Sequence, residues 1–127
     1  MLTACQPTDF TAILLEEILS SFKEQELSLQ ESKVSDKNIF GMRLNRVRPS
    51  GYELDGKILA VYIYDSTKER EKGLKNFHDK TASANVESYN YYEVKNVLLF
   101  YVHGLNLVLE GEVHEDIQKV VNELEEN

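Results

Sequence analysis

Asp55 and Gly56 separate two runs of strand-forming residues, Tyr52 to Leu54 and Lys57 to Tyr64. An Asp-Gly pair readily supplies the positive φ that both positions of a two-residue hairpin turn require, so this stretch predicts a tight antiparallel hairpin. Successive side chains of a strand point to opposite faces. Leu59, Val61 and Ile63 therefore share one face, and Ala60, Tyr62 and Tyr64 share the other. The strand is apolar on both sides, and a chain of 127 residues is long enough to cover parts of both.

The flanking segments follow the same logic. Pro7, Thr8 and Asp9 precede Phe10, Ile13, Leu14, Ile18 and Phe22, whose spacing predicts an amphipathic first helix with Glu16, Glu17 and Lys23 in water. Leu27 and Leu29 alternate with polar residues as in a short half-buried strand, and 33–38 reads as a loop. Phe40, Met42 and Leu44 alternate with Gly41, Arg43 and Asn45, which predicts a further strand near an edge, ended by Pro49, Ser50 and Gly51. Ser66 and Glu69 have capping-box spacing at the start of a second helix that carries Leu74, Phe77, Thr81 and Ala82 on one face. Gly73 inside that helix points to close packing. Val86 to Glu93 and Val97 to Val102 predict a second hairpin, with Leu98, Phe100 and Val102 toward the helices. Val113, Ile117, Val120, Val121 and Leu124 predict a C-terminal helix, while Leu105, Leu107 and Leu109 fit either a strand or a buried loop. The expected fold is α+β in the order α-β-β-β-α-β-β-α. Its sheet is mainly antiparallel, of about four to five strands, with the helices chiefly on one face. Residues 1–8 form a tail ahead of a single domain over 9–127.

Charge narrows the partners. Acidic residues outnumber basic ones 22 to 14, a formal charge of −8, which opposes non-specific attraction to phosphate backbones or anionic membranes. Nucleic acid is therefore not expected as a partner, and no RNP-type motif accompanies the aromatics. The charge is also uneven. Residues 39–52 contain Arg43, Arg46 and Arg48 and no acid, whereas 110–127 contain seven acids and Lys119. The arginines suit an anion such as a cell-wall phosphate or an acidic partner group. They equally suit pairing with nearby acids or the guarding of a sheet edge.

Cys5 is the sole cysteine, so no intramolecular disulfide is available. Leu2, Thr3, Ala4 and Cys5 fit a bacterial lipobox, in which a diacylated cysteine becomes the mature N-terminus, although such a signal also needs an apolar core upstream. Membrane attachment is thus expected only through a lipid anchor, with an extracellular location if a signal peptide precedes Met1 and a cytoplasmic one otherwise. Segments 39–42, 52–57, 69–74 and 93–102 (IFGM, YELDGK, EREKGL and EVKNVLLFYV) resemble small lipoproteins of Gram-positive bacteria that have no assigned activity. The resemblance spans most of the chain and implies that Cys5 is the lipid-attachment site. It implies an address and no reaction.

No reactive constellation accompanies that address. There is no G-x-S-x-G elbow and no glycine-rich phosphate loop, so neither a nucleophile nor a cofactor is predicted. His78, His103 and His114 fall on three different elements without metal-ligand spacing, so no metal site is predicted; a small histidine-based enzyme would require them to converge with acids in one cleft. Strand parity instead gathers Tyr62 and Tyr64, with Tyr89, Tyr91 and Tyr101 as companions. Buried, such a set is core; exposed, it is a partner or saccharide face, or the contact of a homodimer. The function expected is a non-catalytic binding or interaction module, associated with the cell surface, with an unidentified protein or cell-wall partner. Its candidate residues are these five tyrosines with Arg43, Arg46 and Arg48.

Overall fold

The computed structural model describes residues 12–104 and 107–126, the last segment by its backbone alone over 107–112. Asp55 and Gly56 take φ of 53° and 76° and join β2 (Ser50–Leu54) to β3 (Lys57–Ile63) in an antiparallel hairpin. A second hairpin joins β4 (Tyr89–Val94) to β5 (Val97–Val102). Pairing of β3 with β5 unites the two, and the short β1 (Gln30–Glu31) closes the far side. The result is one five-stranded antiparallel sheet in the order β1-β2-β3-β5-β4. With α1 (Leu15–Glu24), α2 (Thr67–Thr81) and α3 (Leu107–Glu126), the fold is α+β in the element order that the sequence predicts.

Because β3 and β5 are apolar on both sides, both sheet faces are covered. On one, α1 and α3 bury Ile18, Phe22, Ile117, Val120 and Leu124 against Leu59, Val61, Val97 and Leu99. On the other, α2 and the segment 39–47 lie over Ala60, Tyr62, Tyr64, Leu98 and Phe100. Phe40, Phe77 and Phe100 form a triad there, with ring centroids 4.5 to 5.8 Å apart. Two helices share the aliphatic face, and Leu98, Phe100 and Val102 meet the third.

Five local expectations change. Leu27 and Leu29 form no strand, and β1 falls on the exposed pair Gln30–Glu31 that follows them. Residues 40–44 form no strand; Ile39–Gly41 is a 3-10 turn, and the second strand begins at Ser50. The period-two pattern arises because this segment lies across the sheet face. Tyr62 Oη donates to the Met42 carbonyl (2.7 Å) and Tyr64 Oη to the Leu44 carbonyl (3.0 Å), so sheet tyrosines hold main-chain groups that a strand would have paired. Residues 44–47 then form a small hairpin turn, with Asn45 and Arg46 at φ of 49° and 70°. Tyr101 sits on the α1/α3 face and not with Tyr62, as its register opposite Leu59 requires. Leu107 and Leu109 belong to α3.

Finally, Leu14 is exposed, because α1 starts one residue after it. Ile13, just ahead, is held in place by Asn96. That side chain is 1% exposed; its Oδ1 accepts from Ile13 N–H (2.8 Å), and its Nδ2 donates to the carbonyls of Ile13 (3.1 Å) and Tyr64 (2.9 Å). On the other face, Gly73 lets α2 approach β3, since a Cβ there would collide with the Tyr64 phenol. Leu2 to Cys5, the lipobox-like residues, lie outside the described residues. No helix among the described residues is long and apolar enough to cross a membrane.

Candidate functional site: a cationic groove beside the second helix

The loop from Lys33 to Asn38 is drawn tightly onto its neighbours by two glycines. A Cβ on Gly41 would run into the Ser35 carbonyl and one on Gly51 into the Ser32 carbonyl, so only glycine permits these backbone approaches. Ser32 N–H also donates to the Gly51 carbonyl (3.0 Å), prolonging the β1–β2 pairing into the loop. This packing leaves an open cleft of about 820 Å³, lined by Lys33, Asp36, Arg43, Arg48 and Lys80 over a floor that includes Val34, Met42 and Pro49. A second cleft of about 570 Å³ adjoins it, sharing Met42 and Lys80 and lined by Ile39, Phe40, Ala84 and Val86 together with Lys37, Asn38, Asn85 and Glu87. Together they make one groove, cationic at one end and more apolar at the other. Each compartment falls within the size range of ordinary ligand sites.

Four cations against Asp36 give the cationic end a net charge of +3 in a molecule of −8. Three cations outside the cleft are matched: Arg70 with Glu93 (3.2 Å), Lys72 with Glu69 (3.1 Å) and Lys75 with Asp79 (3.1 Å). Among the described residues, Lys33, Arg43, Arg48 and Lys80 make no ion pair. All four are exposed, so they keep their hydration and carry their charge without a burial cost. Lys80 lies in the last turn of α2, where a cation is favoured by the carbonyl end of the helix.

The arginines named from the sequence therefore divide. Arg43 and Arg48 enter the groove. Arg46 is carried away by the 44–47 turn to a separate cleft with Asp65 and Glu69. There the Asn45 amide hydrogen bond, followed by Lys72, holds the Glu69 carboxyl below its ordinary range, with Arg46 adding a smaller attraction. The tyrosine set divides as well. Tyr62, Tyr64 and Tyr101 are at most 3% exposed and belong to the interior, so they offer no surface to a partner. Burial, the first cause for both, pushes the Tyr62 and Tyr64 phenols well above their usual range. Tyr89 is half-buried against Phe40 and Phe77, and only Tyr91 is open, at 42%. What parity could not show was a third layer over this face, built from α2 and 39–47.

The three histidines stay apart. His78 is exposed on α2 beside the Tyr91 ring. His103 is buried after β5. His114 on α3 shares a 2.8 Å hydrogen bond with the Tyr92 hydroxyl. Among the described residues no group of three His, Cys, Asp or Glu side chains is placed to hold a metal ion.

Sequence reasoning missed Lys33, Lys80 and Met42. Nothing in their spacing joins a loop lysine, a helix-end lysine and an apolar residue from a supposed strand. The one available signal was the acid-free run 39–52. Compared with known protein families, with curated proteins and with solved structures, the chain matches none.

Proposed function

We propose that this protein is a non-catalytic binding module whose groove beside α2 receives an anionic group of a partner. The observation that carries this is the convergence of Lys33, Arg43, Arg48 and Lys80, none of them ion-paired among the described residues, on one cleft of a strongly acidic molecule. Cations scattered on a surface are usually solvated or paired; four unpaired ones around one concavity add their potentials where a ligand would sit. Cell-surface placement through Cys5 is part of the proposal and rests on the resemblance to Gram-positive lipoproteins. Fractionation of cells expressing the gene with its natural upstream sequence tests it, and a soluble, unlipidated product would remove it.

Binding of a short fluorescently labelled glutamate peptide and of inorganic tripolyphosphate, at about 50 and 500 mM salt, tests the groove. At least one should bind, weakening as salt screens the charges. Arg43→Glu with Arg48→Glu should weaken that binding at least about tenfold, an effect of about 1.4 kcal/mol, while Lys68→Glu on the exposed side of α2 leaves it intact. Equal binding by both variants would refute the assignment.

A further inference from the structure

Resting on that anion-binding assignment, we infer that the groove's natural occupant is a short acidic polypeptide segment bearing a bulky apolar side chain next to its carboxylates. The two compartments ask for different chemistry. Around Lys33, Arg43 and Arg48 the rim is cationic; beyond Met42 the lining is mixed, with Ile39, Phe40, Ala84 and Val86 between the polar Lys37, Asn38, Asn85 and Glu87. A ligand using both must join negative charge to an apolar body across the boundary that Met42 and Lys80 mark.

Other occupants use the groove less fully. A small inorganic anion would fill little of a cleft of about 820 Å³, and the helix end beside it is the carbonyl end of α2, not its amide end. A long polyphosphate makes no use of the apolar compartment. An acyl chain would lie half in water, because the apolar compartment is an open cleft. A peptide suits an open cleft, with apolar side chains turned in, carboxylates on the arginines and its main chain left in water.

A second copy of this chain fits less well. Over 113–126, the acidic face of α3 is presented without apolar anchors, since Val113, Ile117, Val120, Val121 and Leu124 are all buried in its own core. Among the described residues, the exposed Leu14 beside Glu16 and Glu17 is an acidic and apolar patch that could act as such a ligand in trans.

The test uses the full chain and labelled dodecapeptides, each with six glutamates interspersed with serine, leucine or phenylalanine, alongside inorganic polyphosphate. A leucine or phenylalanine peptide should bind at least about tenfold more tightly than the serine peptide of equal charge. Met42→Ser should weaken the apolar peptides more than the serine peptide and so erase that preference, and Arg43→Glu should weaken all three. If the serine peptide or polyphosphate binds as well as the apolar peptides, this inference fails and the anion site stands. If no probe binds in a salt-sensitive way, both fail. Sedimentation completes the test: self-association abolished by either Arg43→Glu or Leu14→Ser would assign the groove to a second copy and overturn the inference.

Discussion

Replacing Asn96 with alanine removes one side chain that joins three parts of the molecule. The amide links the turn after β4 to the segment entering α1 and to the end of β3 through three hydrogen bonds of 2.8 to 3.1 Å. Each neutral hydrogen bond contributes about 1 kcal/mol net, and buried partners left without one add a desolvation cost. Asn96→Ala should therefore lower stability by about 3 to 5 kcal/mol and Tm by about 10 °C or more. Asn96→Asp sharpens the test. It keeps the acceptor for Ile13 N–H but sets a carboxylate against two carbonyl oxygens. Burial and those acceptors raise its folded-state pKa, so this variant should gain stability as pH falls through that raised value. Urea unfolding followed by circular dichroism at pH 7 and pH 5 measures both effects, and hydrogen exchange reads the Ile13 amide directly. A loss below about 1 kcal/mol for the alanine variant, or an Ile13 amide still as protected as those of β5, would refute the clamp.

Two further outcomes follow from packing and charge. Gly73→Ala should destabilise by about 1 to 2 kcal/mol despite a helix-propensity gain near 1 kcal/mol, because its Cβ meets the Tyr64 hydroxyl; Tyr64→Phe in the same chain should recover part of the loss, and simple additivity in thermal unfolding would refute the contact. Glu24 is held above its ordinary carboxylate range by its hydrogen bond with Glu123 and then by that residue's charge. A raised folded-state pKa means its contribution is present at low pH and lost as pH rises through the window above the ordinary carboxylate value. Glu24→Gln should therefore flatten the fall in urea midpoint as pH rises from about 4 to 7, and an unchanged slope would count against the Glu24–Glu123 pair.

What could be read from the sequence was whatever period-two and helical spacing encode locally. Asp55-Gly56, the alternation through Ile58–Tyr64 and the Ser66 cap, whose hydroxyl accepts from Glu69 N–H at 3.1 Å, each bind neighbours in the chain. The 40–44 segment misled because alternation reports only which side chains face inward. Phe40 and Leu44 do face inward, but as part of a layer above the sheet, and no local signal separates that from a strand within it. Tyr101 was misplaced because residue parity within one strand says nothing of its phase relative to another, which β3–β5 register decides. The groove was illegible for the same reason. It needs the tertiary contacts of Gly41 and Gly51 to bring Lys33, Arg43 and Arg48 beside Lys80.

The acidity of the rest of the molecule bears on which anions such a groove would accept. At physiological ionic strength the field of a surface charge fades over about 8 Å. A ligand confined to the cationic compartment would feel mainly the local +3, one reaching the second compartment would meet Glu87 together with Lys37 and Lys80, and a long polyanion would continue onto the acid-rich surface of a −8 molecule. On the binding-module proposal, the same four cations that attract a short acidic segment would do little for a nucleic acid, whose affinity grows with the number of phosphates neutralised along its length. Overall negative charge then acts as a length filter. It leaves contact-range attraction intact and penalises ligands that extend beyond it, so selectivity among anions needs no base-specific or sugar-specific contacts.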